Sequence, residues 1–96
     1  MAKTIHRAEY KVLLRQLREL RLRAGITQGD LSAQLGRPQP FISDVERGVR
    51  RLDAIELRDI CVLLGSDIVT FLSALEEDLP PVRPVRRSRM GKGGTA

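Results

Sequence analysis

Four glycines limit this chain to short helices. Apolar residues recur at helical spacing in five segments, which are separated by Gly25, Gly36, Gly48 and Gly65. Glycine readily adopts the left-handed conformation that ends a helix. No stretch alternates convincingly between apolar and polar residues, as a half-buried strand would. We therefore predict an all-α fold, a compact five-helix domain.

Cap residues give approximate bounds to these helices. The hydroxyl of Thr27 can accept a hydrogen bond from the amide of Asp30, which predicts that the second helix starts after Thr27. Pro40 is expected in the first turn of the third helix, where its missing N–H costs nothing. The predicted helices span about residues 7–23 and 28–34, Pro40 to Gly48, Asp53 to Leu64, and Ser66 or Asp67 to Glu77.

Length and composition exclude several classes of protein. A chain of 96 residues is enough for one small domain, whose core is marginal without a partner subunit. The single cysteine, Cys61, cannot form a disulfide or a cysteine-based zinc site within the chain. No apolar run is long enough for a membrane span, and the N-terminus lacks the apolar core of a signal peptide. We expect a cytoplasmic, nucleoid-associated protein with no cofactor, no metal and no membrane partner.

An enzyme is the least favoured interpretation. His6 is the only histidine and lies near the start of the chain. Cys61 falls on an apolar helix stripe, where a cysteine is usually inert. The glycine-rich segment 91–94 lacks the strand and helix of a phosphate-binding loop. We therefore predict no catalytic residues.

Charge is distributed unevenly along the chain. Residues 1–51 carry eleven Lys/Arg and five Asp/Glu, residues 52–78 one and seven, and residues 79–96 five and none. The balances of +6, −6 and +5 give the net charge of +5. This uneven charge suits a protein that presents one face to a polyanion. Charged surfaces that only face solvent, and bind no partner, would give the same distribution.

The segment from Thr27 to about Gly48 predicts a helix-turn-helix, two short helices joined by a tight turn that contains Gly36. This segment and the residues on either side of it contain three specific motifs, LRELRLRAGITQGDLSAQLG, PQPFISDVERG and LRDICVLLG. With these motifs the sequence resembles the Cro/repressor-type (XRE) helix-turn-helix family over about residues 10–76. The resemblance implies a lambda-repressor-like domain that binds double-stranded DNA, usually as a homodimer on a palindromic operator.

The resemblance also implies which residues contact bases. In a helix-turn-helix the second helix, the recognition helix, enters the major groove. The residues at the matching positions are Gln39, Pro40, Ser43 and Asp44. A glutamine at position 39 can pair bidentately with adenine, whereas Pro40 offers only apolar contact, for instance to a thymine methyl. Ser43 bonds either DNA or its own backbone.

Asp44 departs from the family pattern, which often has Lys, Arg or Gln at this position. A carboxylate near phosphates is repelled, but it can accept a hydrogen bond from cytosine N4. Three interpretations are open: Asp44 reads a cytosine, it pairs with Arg47 or Arg37, or DNA binding here is weak.

Five residues are predicted to contact phosphates, with solubilising surface charge as the alternative for the arginines. These are Gln28, Arg37, Arg47, Arg50 and Arg51. The family also places a largely buried ion pair between the first helix and the recognition helix, at the positions of Arg21 and Glu46. We treat this pair as structural, because an arginine fork fixes the angle between two helices.

The fifth helix is the candidate dimer interface. Three apolar residues match core positions of the family: Ile68, Phe71 and Leu72. Three others are left over once the core is filled: Val69, Leu75 and Leu79. We predict a two-fold interface formed by Val69, Leu72, Leu75 and Leu79. The alternative is that the surplus residues cover the edge of the core of a monomer.

The segment 79–96, which contains three prolines and no acids, is predicted to be a disordered basic tail after a domain of residues 1–78. Three roles are open for it: binding DNA as a flexible arm, folding back on the acidic segment 52–78, or solubility alone.

We expect a transcriptional regulator, most simply a repressor of its own gene. The alternatives are the antitoxin of a toxin–antitoxin pair, which holds a protein partner with its tail, and a restriction–modification controller. All three use the same DNA-binding domain, so the sequence does not separate them.

Overall fold

The protein is described by a computed structural model of residues 7–82. These residues form five α-helices and no strand, so the prediction of an all-α, five-helix fold is confirmed. The helices are α1 (Ala8–Ala24), α2 (Gln28–Gln34), α3 (Phe41–Glu46), α4 (Ala54–Leu63) and α5 (Ile68–Asp78). His6 and most of the predicted tail, residues 83–96, lie outside the described residues. None of the five helices has the length and apolar character needed to cross a membrane.

Local capping explains where the helices begin and end. Thr27 accepts a hydrogen bond from the Asp30 amide at 3.0 Å, as predicted, and Gly25 ends α1 with a φ of +73°. Asp67, and not Ser66, caps α5. Pro40 is the residue immediately before α3 and lies outside its first turn. These ends arise from residues close in sequence, which is why the sequence predicted most of them.

The core is built from one apolar stripe of each helix. Its most deeply buried side chains come from α2, α3 and α4, with Leu31, Ile42, Val45, Ile60 and Cys61 all at most 2% exposed. Burial raises the pKa of the Cys61 thiol to about 11, so this cysteine stays protonated and packs as an apolar residue.

The first and last helices, α1 and α5, are joined by a polar contact as well as by the core. Gln16 on α1 donates to a carboxylate oxygen of Asp78 on α5 at 2.5 Å. The hydroxyl of Tyr10 accepts from the amide of Leu52, in the loop between α3 and α4, at 3.3 Å. These contacts join α1 to α5 and to the loop that leads into α4.

Candidate nucleic-acid interface

Helices α2 and α3 are packed as a single unit. Ser32 on α2 is fully buried, and its hydroxyl accepts a hydrogen bond from the amide of Ile42, in the first turn of α3, at 3.0 Å. The turn between the helices contains Gly36 with a φ of +70°, a conformation that favours glycine. The bond satisfies one of the unpaired amides at the start of α3, so it also fixes the angle between α2 and α3.

Helix α3 turns one side to the core and the other to solvent. Phe41, Ile42 and Val45 are buried. The opposite side, which we call the outer face, consists of Pro40, Ser43, Asp44 and Arg47, which are exposed or half-buried. Three of the four residues predicted to contact bases therefore lie on one surface, and Gln39 precedes them.

Gln39 is exposed and its side chain lies over Gly29 of α2. A Cβ atom built at Gly29 would be only 3.1 Å from Nε2 of Gln39. The absence of a side chain at Gly29 therefore makes room for the Gln39 amide just before α3. The sequence did not indicate this contact, because it depends on the angle between α2 and α3.

Asp44 forms an ion pair with Arg47, three residues further along α3. The sequence left Arg47 and Arg37 open as partners of Asp44, and in the structure the partner is Arg47. The side chain of Arg47 is 63% exposed, so the pair lies at the surface of the outer face.

The ion pair between Arg21 of α1 and Glu46 of α3 is buried, with the two side chains only 8% and 6% exposed. Nε of Arg21 donates to one carboxylate oxygen at 2.6 Å and an Nη to the other at 3.1 Å. A third donor is the side-chain amide of Gln28, at 2.8 Å from Glu46. Gln28, which was predicted to contact a phosphate, therefore uses its amide in this structure to hold α2 to α3.

Glu56 on α4 joins two of the arginines that were predicted to contact phosphates. One of its carboxylate oxygens accepts from Arg37 at 2.6 Å and from Arg50 at 2.7 Å, and both guanidinium groups lie over the ring of Phe41. Its other oxygen accepts from the amide of Asp53 in a capping box. The Asp53 amide, with the two arginines, lowers the pKa of Glu56.

The sequence did not predict that Glu56 binds Arg37 and Arg50. The spacing of Asp53 and Glu56 indicated a capping box in principle, but nothing in the sequence indicated the two arginines. Arg51, the remaining predicted arginine, is exposed and lies over the ring of Tyr10 at 4.7 Å.

The predicted dimer residues on and after α5 fall into two groups. Val69 and Leu72 are exposed, at 71% and 42%. Leu75 is buried at 8% exposure, so the prediction that it is surplus to the core was wrong, and Leu79 is half-buried. The buried stripe of α5 runs through Phe71 and Leu75, which are four residues apart and share a face. Leu72 lies beside this stripe, so the prediction that it matches a core position was wrong.

The fold and the outer face define a class, the helix-turn-helix DNA-binding proteins. Comparison with known proteins gives the family. A family model described as a helix-turn-helix domain matches residues 12–71. The chain is 51% identical to a solved XRE-family like protein from Pseudomonas syringae pv. tomato str. DC3000, with a TM-score of 0.73 over 79% of this chain and 93% of that one. The chain belongs to the XRE family of helix-turn-helix DNA-binding regulators.

A second solved structure is similar at lower identity. It is a mutant of the restriction-modification controller protein C.Esp1396I, 27% identical, with a TM-score of 0.65 over 81% of this chain and 94% of that one. No curated protein matches the chain.

Proposed function

We propose that this protein is a sequence-specific regulator of transcription that binds a palindromic operator as a homodimer, most simply as a repressor of its own gene. The observation that carries the proposal is the outer face of α3. It presents polar side chains on the helix that such proteins insert into the major groove, while the buried side of α3 is fixed by Ser32 and by Glu46. A rigid helix with an exposed polar face is what base reading requires.

The surrounding surface supports binding to the DNA backbone. Arg37 precedes α3 in the chain, Arg50 and Arg51 follow it, and Gln28 is the first residue of α2. Arginine side chains and helix N-termini are common phosphate ligands. Phosphate contacts by these residues and base contacts by Gln39, Pro40 and Ser43 are part of the proposal.

Selection of bound sequences from a random duplex pool tests the proposal. We expect an enriched palindrome whose half-sites are about one helical turn apart. Gln39→Ala should relax the preference at one position in each half-site and leave the spacing unchanged. Recovery of random sequences at both low and moderate salt would overturn the proposal.

The dimer part of the proposal rests on the apolar surface of α5. Val69→Asp places a charge in the proposed interface without disturbing the core, because Val69 is 71% exposed. We expect the variant to be monomeric by analytical ultracentrifugation and to bind the full operator more weakly. Leu22→Asp is the matched control, since Leu22 is 51% exposed on α1. Dissociation of both variants, or of neither, would contradict an interface on α5.

Gly29→Ala should separate stability from DNA recognition. Alanine replaces glycine in a helix, which stabilises the fold by up to about 1 kcal/mol. The new Cβ would lie 3.1 Å from Nε2 of Gln39, so the amide has to move. We expect a slightly higher midpoint in urea together with weaker operator binding.

Gly25→Ala is the matched control, for which we expect a loss of stability without a loss of operator binding. A non-glycine residue at φ +73° costs about 1–2 kcal/mol, but no atom within 4 Å of the new Cβ is disturbed. This variant should lose stability and keep its operator preference. Unchanged operator binding by Gly29→Ala would show that operator binding does not need the Gln39 amide in its position over Gly29.

Glu56→Gln tests the phosphate role of Arg37 and Arg50. Glutamine can still close the capping box, but it no longer neutralises the two guanidinium groups. We expect tighter DNA binding at low salt and a dependence of log K on log salt that is steeper by about 0.9 for each additional phosphate that the arginines neutralise. The matched control is Asp59→Asn, which removes a charge paired with Arg58 instead. Equal effects of the two variants would show that only net charge matters.

A second candidate is control of a restriction–modification system, because one similar solved structure is such a controller. This function uses the same domain and the same chemistry. Genes for a methyltransferase and an endonuclease beside the gene for this chain, with the selected palindrome upstream of them, would favour it. Their absence would leave the simpler autoregulator.

A further inference from the structure

Asp44 and Arg47 place an ion pair on the outer face of α3. Residues three apart on a helix lie on the same side, and Pro40, four residues before Asp44, lies there as well. The pair is exposed, with 63% of the Arg47 side chain and 35% of the Asp44 side chain accessible. Both groups therefore face the position that a DNA major groove would occupy under the proposed function.

The backbone that carries Arg47 is fixed by the end of the helix. The amide of Gly48 donates to the carbonyl of Val45 at 3.0 Å, and the amide of Val49 donates to the carbonyl of Asp44 at 2.9 Å. Gly48 has a φ of +80°. A fixed backbone and a held guanidinium group reduce the conformational freedom that Arg47 loses when it binds a ligand.

We propose that Arg47 reads a guanine in the operator and that Asp44 is the positioning residue that orients its guanidinium group. This inference rests on the proposed function. A guanidinium group has five N–H donors, and Asp44 accepts from one nitrogen, Nη2. The remaining donors are sufficient for the bidentate bond to O6 and N7 of guanine, the commonest specific contact between an arginine and a base.

Charge favours a base contact over the phosphate contact predicted for Arg47 from the sequence. Affinity for phosphates comes from positive charge that displaces counterions, and the Asp44–Arg47 pair is neutral overall. The same pairing removes the repulsion between the Asp44 carboxylate and the DNA backbone. The pair therefore contributes directional hydrogen bonds, which distinguish bases, more than general attraction.

The test is selection from a random duplex pool with the full chain and four variants, Arg47→Ala, Asp44→Ala, Asp44→Asn and Arg51→Ala. The unmodified protein should enrich guanine at one position of each half-site. Arg47→Ala should abolish that preference, with a loss of about tenfold in discrimination between guanine and other bases in competition binding. Asp44→Ala should weaken the same preference, and Asp44→Asn, whose amide oxygen can still accept from Arg47, should restore part of it.

Arg51→Ala provides the contrast of a phosphate contact. It should weaken binding to all sequences alike, with a salt slope shallower by about 0.9, and leave every base preference in place. The same behaviour for Arg47→Ala would overturn the inference. If Arg47→Ala keeps the preference and Asp44→Ala abolishes it, Asp44 reads the paired cytosine and the inference is wrong. If the unmodified protein enriches nothing, the proposed function itself fails.

Discussion

Arg21→Ala and Glu46→Ala are each expected to lower the free energy of unfolding by about 3–5 kcal/mol. Both side chains are more than nine-tenths buried, and Nε of Arg21 lies 2.6 Å from the carboxylate of Glu46. Removal of Glu46 leaves a buried guanidinium group without its counter-charge. Removal of Arg21 leaves a buried carboxylate whose remaining partners are the Gln28 amide and Arg18, at 3.9 Å. Because a domain of this size is stabilised by only about 5–15 kcal/mol in total, a large fraction of either variant should be unfolded in mild urea.

Two controls distinguish a buried charge from a lost contact. Arg15→Ala removes an exposed arginine of α1 that lies 3.7 Å from Glu19, and should cost less than about 1 kcal/mol. The double variant Arg21→Met, Glu46→Leu should recover much of the loss, because an apolar pair has no charge to bury. Urea unfolding followed by circular dichroism measures all four proteins. A loss below about 1 kcal/mol for both single variants would show that water reaches the pair.

Ser32→Ala is expected to lower the free energy of unfolding by about 1–3 kcal/mol, although alanine is the better helix former. The Ser32 hydroxyl is fully buried and accepts from the amide of Ile42 at 3.0 Å. Without it, the amide in the first turn of α3 is buried and has lost this partner. The lost hydrogen bond is one that fixes α3 against α2, so operator affinity should decrease as well.

The matched control for this prediction is Ser73→Ala, an exposed serine on α5. It should change stability by no more than about 0.5 kcal/mol. Hydrogen exchange of the Ile42 amide gives a second measurement, since exchange there should accelerate in Ser32→Ala more than elsewhere in α3. Equal stability of the two serine variants would contradict a structural role for the Ser32 hydroxyl.

The features that the sequence predicted correctly depend on neighbours along the chain. Gly25 ends α1, Thr27 caps α2 and Asp53 caps α4, because each satisfies or redirects backbone groups within a few residues of itself. The pair of Arg21 and Glu46, 25 positions apart, is different. It was available only through the resemblance to a family in which these positions are paired.

The face that a helix buries was harder to predict than the helix. On α5 the sequence offered several apolar residues, and it was the packing against the core that buried Leu75 and left Leu72 exposed. The outer face of α3 was better predicted, since the buried residues of this short helix leave little choice. Hydrophobic spacing identifies a stripe, but a wide stripe permits more than one orientation.

By itself, therefore, the sequence determined the five helices, most of their caps and the approximate position of α3, because these depend on local hydrogen bonds and spacing. It left the cap of α5 between Ser66 and Asp67, and it placed Pro40 inside α3 instead of before it. Apart from Arg21 with Glu46, which the resemblance implied, and Asp44 with Arg47, which the sequence left open, the tertiary structure decided which polar side chains pair across the helices. It placed Glu56 between Arg37 and Arg50, Gln39 over Gly29, and the Gln28 amide on Glu46. Such contacts depend on the angles between helices, which are set by the packing of the whole core and leave no local signal in the chain.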